Sequence, residues 1–349
     1  KAHIDKEHYV EFLTKHKAKC TTCGTLLPLE LKQHNLMMKT TVGLDTEAYN
    51  RPETATTTYL PFNRYVKHFR DKLPFAVFQI GKAYRNEISP RQFIIRMREF
   101  TQGEGQYFLL PSQKETFAPY ERVKMNRYFF LSAELQKKEN GAVQLSLDDA
   151  LKKKLVGSQA YAWTLAIAHE LFTQMGIHPD KIRFRQHAED EKAFYALDAW
   201  DVEIKTNTLG WEEFCGVHDR GAYDLTQHEK FSGESLNVHT ETGKQKPHIL
   251  EIAFGTDRAL YAVTDASYDD DTKRGNKVLH FSSSIAPISI GVFSLVNKLN
   301  DQSNAVYEAL KNTWTTIHDT SGSIGRRYAR ADEQGIPYCI TVDYDSLTH

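Results

Sequence analysis

Cysteine is scarce in this chain, with four residues in 349. That is too few for a disulfide scaffold, and a reducing, intracellular setting is the expectation. Charge of one sign is missing too: 44 Lys and Arg stand against 45 Asp and Glu, a net of −1. The balance excludes a uniformly basic coat for nucleic acid but leaves room for a local basic stripe. No apolar run approaches the roughly 18 residues that cross a bilayer. Signal peptide, internal repeat and low-complexity tract are likewise not visible. With 40% hydrophobic and 11% aromatic residues, disordered and fibrous classes are excluded. The length fits about two domains. The chain opens at Lys1 without a methionine and stops at His349 in what reads as a turn after a strand. Both ends, and some loops, are therefore expected to lie outside it.

What is present is organised by period. The first 34 residues are polar and rich in Lys and His, and form an edge segment or insertion. Within them Cys20 and Cys23 have the spacing of a zinc-ligand pair, with His16 and His34 as further candidates. No second CxxC exists, so a ligand-free knuckle is the competing reading. Tyr59, Phe62, Tyr65, Val66 and Phe69 predict a helix over 58–72. Two β-prone runs, 75–85 and 93–100, flank Ser89-Pro90-Arg91 and read as a hairpin. A helix over 160–175 is closed by Gly176. Strands are expected at 183–187, 199–207, 211–217 and 248–253, the last turning into a helix from about 258 to 265. After Asp269-Asp270-Asp271 the rhythm changes to strand (288–296), helix (302–316) and strand (338–343), so a domain boundary is expected near residue 284.

Two constellations carry chemistry. On the hairpin, Arg85 and Glu87 share a face by strand alternation, as do Arg96, Arg98 and Phe100 on the return. An arginine fork, a carboxylate and a flat aromatic suit a nucleotide: phosphate, exocyclic amine and base. A surface hairpin laced with salt bridges fits the same pattern. The second run, Glu251-Ile252-Ala253-Phe254-Gly255-Thr256-Asp257-Arg258, sets an arginine in the first turn of a helix, where the dipole also favours phosphate. Cys215 and Cys339 read as small core residues; His187, His218 and His228 read as structural histidines, His187 at a strand end, with substrate contact as the alternative. Arg326, Arg327 and Arg330 form the best local candidate for an RNA-facing patch, with a solvated helix face as the alternative.

Together RPET (51–54), QIGKAYRNEISPR (79–91), RFRQH (183–187), GWEEFCGVHDRGAYDLTQH (210–228), FGTDR (254–258) and SGSIGRRYARADEQGIP (321–337) resemble the glycyl-tRNA synthetases of the dimeric, archaeal and eukaryotic class II type. The resemblance implies an α+β fold. A class II antiparallel sheet flanked by helices would occupy residues 1–284, followed by a partial α/β anticodon-binding domain at 285–349. It implies ATP, Mg²⁺, glycine and tRNA(Gly) as cofactors and partners, a homodimer, and a cytoplasmic setting. Arg85 and Glu87 fall at the motif 2 positions that hold the α-phosphate and adenine, and Asn86 lies between them. Arg96, Met97 and Phe100 fall on the returning motif 2 segment, Phe100 as the adenine-stacking ring. Arg258 falls at the motif 3 arginine, which makes Arg85 and Arg258 the catalytic pair, while Glu213 and Phe214 fall in the ATP and metal region. Glu53, Glu104 and Glu251 match the carboxylates around the glycine ammonium, and Arg220 an arginine of the same pocket. Ala253 departs from the family, standing where a serine usually contacts glycine. Motif 1 is not found. Two competing readings are a catalytically retired nucleic-acid-binding relative and an adenylate-former with altered amino-acid choice.

Overall fold

Alternation of apolar and polar residues along the middle of the chain builds one large sheet. The computed structural model describes residues 6–30, 34–271 and 275–348. Eight strands make the sheet: β1 (Phe75–Tyr84), β2 (Glu99–Leu109), β3 (Arg127–Leu131), β4 (Val143–Ser146), β5 (Ile182–Gln186), β6 (Asp198–Thr206), β7 (Gly210–Gly221) and β8 (His248–Gly255). Their order is β1-β2-β8-β7-β6-β5-β3-β4, antiparallel throughout except for the β3–β5 pair. On β6 the period of two sends Trp200, Val202 and Ile204 into the main apolar core and Asp201 and Glu203 to the opposite face.

Helix α1 (Gln159–Gln174) covers the apolar face, burying Tyr161, Leu165 and Phe172 in that core. Ser158 caps it by accepting from the Tyr161 amide, and the Tyr161 hydroxyl donates to the Val217 carbonyl at 2.6 Å. Helix α2 (Thr256–Ser267) leaves the end of β8 and packs Ala259, Ala262 and Val263 onto the same core. A smaller cluster, including Tyr59, Phe62, Phe75 and Phe108, anchors the segment that carries Glu53.

The C-terminal module is three parallel strands, β9 (Ile290–Ser294), β10 (Thr316–Asp319) and β11 (Tyr338–Val342), in the order β10-β9-β11. Helices α3 (Asn300–Leu310) and α4 (Ile324–Gln334) connect them. Gly335 ends α4 at φ +66°, and the Phe281 ring occupies the space a Cβ would need.

Four expectations are corrected. The helix over 58–72 is two short helices, Ala55–Tyr59 and Phe62–His68, because Pro61 interrupts the turn between them. The second hairpin strand starts at Glu99, not Phe93. Gln92 and Phe93 take positive φ (58° and 52°), the turn runs to Ile95, and Arg96 pairs with Arg91 in an isolated bridge, so Arg96 shares no strand face with Phe100. The helix expected to reach 316 ends at Leu310, and the β-branched Thr316-Ile317 pairs with β9 instead. Arg327 is not part of an RNA-facing patch. It is 1% exposed and donates to the carbonyls of Ser294, Thr320 and Gly322, while Arg330 pairs with Asp319.

Candidate active site

The polar face of the sheet holds a pocket of about 130 Å³ that opens to solvent. Register explains its composition. Across β2, β8, β7 and β6 the aligned residues are Glu104, Ala253, Gly216 and Asp201, and the row beside it runs Gln106, Glu251, His218 and Ala199. Residues in one row share a face, so carboxylates far apart in sequence meet.

The acidic part is built around Arg220. Its guanidinium donates to Glu251 at 2.8 Å, to Asp224 at 2.7 and 2.9 Å, and to Glu53 at 3.3 Å. The Tyr195 ring lies over it with its centroid 4.0 Å away. Gln106 bridges the two innermost carboxylates, donating to Glu104 at 2.9 Å and Glu251 at 2.8 Å. The Thr54 hydroxyl also donates to Glu104. Burial, then the neighbouring Glu251, pushes Glu104 well above the usual carboxylate range. Burial would raise Glu251 as well, but Arg220 and His218 hold it well below that range. Burial raises Glu53 against the pull of Arg220.

The cationic part lies along the Arg258 end of the pocket. Arg258 sits in the first turn of α2 and donates to the Ile95 carbonyl at 2.8 Å and the Glu213 carbonyl at 2.9 Å. Its guanidinium is 3.6 Å from the Glu213 carboxylate. Asp257 accepts from the Thr101 amide at 2.8 Å, which fixes that turn to β2. Arg85 donates to the Pro52 carbonyl at 3.3 Å and stands 5.5 Å from the centre of the Phe100 ring. Chemically, one pocket offers guanidinium groups and a flat ring for a nucleotide, beside carboxylates for an ammonium.

Glu53, Arg85, Glu87, Arg96, Met97, Phe100, Glu104, Glu213, Phe214, Glu251, Ala253 and Arg258 all line this pocket. Arg220 stands behind the lining and charges it through Glu53 and Glu251. Asn86 is turned away: its side-chain amide donates to the Asn35 carbonyl, and it does not line the pocket. Cys20 and Cys23 lie in a tight turn closed by Gly24, remote in composition from the pocket. The Cys23 thiol donates to the Thr25 hydroxyl, and hydrogen bonding with Thr25 lowers it to about 7. Among the described residues neither cysteine belongs to a group of three metal-ligand side chains. Gln102, Tyr195, Gly216, His218 and Asp257 line the pocket without having been singled out as site residues. For Gly216, His218 and Asp257 the signal was available, since they fall inside the quoted motifs; Tyr195 sits in a loop without periodicity.

Residues 40–267 match the family described as tRNA synthetase class II core domain (G, H, P, S and T), and residues 283–349 match the anticodon binding domain. The chain is similar to the glycine–tRNA ligase of Methanococcus maripaludis (strain C5), 34% identical over 97% of this chain and 74% of that protein. The same enzyme of Methanocaldococcus jannaschii is also 34% identical, and that of Thermococcus sibiricus 33%, with the same coverage. The first alignment runs over 432 positions against 349 residues here, so that relative carries internal segments without a counterpart in this chain.

Proposed function

The chain belongs to the class II tRNA synthetases, in the glycine–tRNA ligase family, and we propose that this pocket joins glycine to ATP and passes the glycyl group to tRNA(Gly). The observation that carries the reading is a single pocket with Arg85, Phe100 and Arg258 on one side and Glu53, Glu104 and Glu251 on the other.

Adenine stacks on Phe100 while Arg85 and Arg258 draw the triphosphate between them. The glycine ammonium enters the carboxylate cluster, which leaves its carboxylate facing the α-phosphate. A carboxylate oxygen attacks that phosphorus in line, the bond to the β-phosphate oxygen breaks, and pyrophosphate leaves. Positioning and charge stabilisation by fixed guanidinium groups do the work, and no proton has to move. In the second step the terminal ribose hydroxyl of tRNA attacks the glycyl carbonyl, the carbonyl–phosphate oxygen bond breaks, and AMP departs with the electron pair while its phosphate oxygen takes the hydroxyl proton. For Mg²⁺, a hard cation that prefers oxygen ligands, Glu213 is the half-exposed carboxylate beside Arg258. When bound, the ion would neutralise charge on the leaving phosphates.

We further infer a homodimer. Strand β1 is a free edge of the sheet, and Phe78 and Ile80 on it are 57% and 61% exposed, as expected of a face covered by a second copy. No helix among the described residues is long and apolar enough to cross a membrane. The C-terminal module is assigned to the tRNA.

The test is glycine-dependent exchange of pyrophosphate into ATP. Exchange with glycine and not with alanine or serine is expected. No exchange with any amino acid would favour a retired relative, and exchange with alanine instead would move the assignment to another amino acid.

A further inference from the structure

We propose that His187, Asp201 and His218 form a binding site for a divalent transition metal of the zinc class, set in the pocket wall next to Glu251. One ligand atom from each lies within 4.8 Å of the others, without any contribution from the cysteines. Their side chains are 17%, 6% and 15% exposed. Three adjacent strands deliver them. The His187 amide, just past β5, donates to the Ala199 carbonyl on β6, and Ala199 is the register partner of His218 on β7. Asp201 is the register partner of Gly216.

That glycine is what lets the third ligand in. The His218 ring lies over Gly216, so closely that a Cβ there would come within 2.7 Å of its Cε1 and 3.3 Å of its Nε2. The ring thus leans along β7 toward the row of Asp201. Its Nδ1 is engaged with Glu251 at 2.8 Å, which leaves the Nε2 lone pair for a metal. A carboxylate behind a histidine in this way is the usual device for fixing the tautomer of a metal ligand. His187 meets Asp201 through Nε2 at 2.8 Å, and its Nδ1 is buried without a partner, so the ring has one nitrogen to spare. The two imidazoles are 6.0 Å apart and inclined at 74°.

Two imidazoles and one carboxylate suit zinc, cobalt, nickel or iron rather than magnesium or calcium. The His187–Asp201 and His218–Glu251 pairs account for each histidine by itself; what neither pair requires is the lean of the His218 ring over Gly216, which brings the three ligand atoms within 4.8 Å of one another. The metal would complete its coordination with water from the pocket side, where His218 is part of the lining. Its effect would be positional, fixing His218 and through it Glu251. The site is independent of the nucleotide's magnesium and of the adenylation reading.

Chelator-treated full chain titrated with Co²⁺ alone tests this by visible absorption, with Zn²⁺ added afterwards to displace the cobalt. One equivalent of cobalt per chain is expected, giving bands of low-coordinate cobalt with nitrogen and oxygen ligands. His187→Asn and Asp201→Asn should each weaken binding at least about tenfold, and a Cys20→Ser, Cys23→Ser double variant should bind as the parent does. The proposal falls if the parent chain gives no saturable band. It falls equally if both single variants keep the band, or if the double cysteine variant loses it. Because the parent titration is decisive alone, a variant that fails to fold does not shelter the idea.

Discussion

Glu104 and Glu251 face each other through the amide of Gln106, yet their surroundings drive them in opposite directions. Arg220 and His218 hold the Glu251 carboxyl well below the usual range, whereas burial and the neighbouring Glu251 push Glu104 well above it. A cation that enters between them relieves that repulsion. Glu104→Gln keeps the size of the side chain and removes its charge. It should leave the thermal midpoint within the shift expected for about 1 kcal/mol while raising the glycine KM roughly 10-fold or more, since a charged hydrogen bond to the ammonium is lost. Melting curves and pyrophosphate exchange against glycine concentration check both halves. A KM unchanged by the substitution would place the ammonium elsewhere.

Arg258 is held by two backbone carbonyls, so its guanidinium is fixed before substrate arrives. Arg258→Ala is expected to lower glycine-dependent exchange by about 100-fold or more, the scale of removing one preorganised charge from a transition state. The melting temperature should change little. Near-normal exchange would remove the residue from the triphosphate side.

Ala253 lies in the pocket lining, opposite Glu104 on one neighbouring strand and Gly216 on the other. A serine there would offer one hydroxyl to glycine. Ala253→Ser should lower the glycine KM by about 2- to 10-fold, the effect of one neutral hydrogen bond. An unchanged KM would mean that the substrate's needs at this point are already met.

Burial raises Asp198 to about 6, with Asp219 adding to the effect against the hydrogen bond donated by the Ala199 amide. The folded carboxyl holds its proton more tightly than the unfolded one. Its contribution is fully present below 3.8 and is lost as pH rises through about 6. Asp198→Asn keeps the acceptor for Ala199 and removes the charge. It should stabilise the protein at pH 7 by up to about 3 kcal/mol and have no benefit at pH 3.5. Denaturant titrations at the two pH values measure the difference; an equal effect at both would contradict the assignment.

Arg327 and Arg326 are neighbours in sequence with opposite duties. Arg327 is buried among loop carbonyls, whereas Arg326 is exposed. Arg327→Ala should destabilise the C-terminal module by about 3 kcal/mol or more, since several carbonyls lose their donor at once. Arg326→Ala should melt normally and raise the KM for tRNA a few-fold, with a weaker salt dependence. Calorimetry and aminoacylation at two salt concentrations separate the two.

Much of this was readable in the chain because local chemistry and tertiary position agree there. The run Gln79 to Tyr84 alternates and is a strand, and Gly255 to Arg258 turns a strand into a helix as the residue types suggest. Reading failed where a local conformation overrode propensity. Phe93 to Arg98 is β-prone by composition, but positive φ at Gln92 and Phe93 coils it into the loop that places Ile95 beneath Arg258. It failed also where a role depends on distant partners. Gln106 is an ordinary strand residue until β8 brings Glu251 beside it, and Arg327 looks like a surface cation until Ser294 at the end of β9 and four residues of the neighbouring loops close around it. The positions of Tyr195 and His218 against Arg220 and Glu251 belong to the same class.

The pocket is written across the strands rather than along them, and this makes activity hostage to alignment. Were β8 to slide by one residue against β2 and β7, Leu250 and Ile252 would enter the polar face while Glu251 and Ala253 turned into the core. Such a chain could retain much of its secondary structure and bind nothing. The β8–β7 pairing shifts register between Ile249 and Leu250, where Arg220 on β7 is left without a ladder partner. For this protein, correct assembly and correct substrate choice are settled by the same event, the pairing of one strand of eight residues.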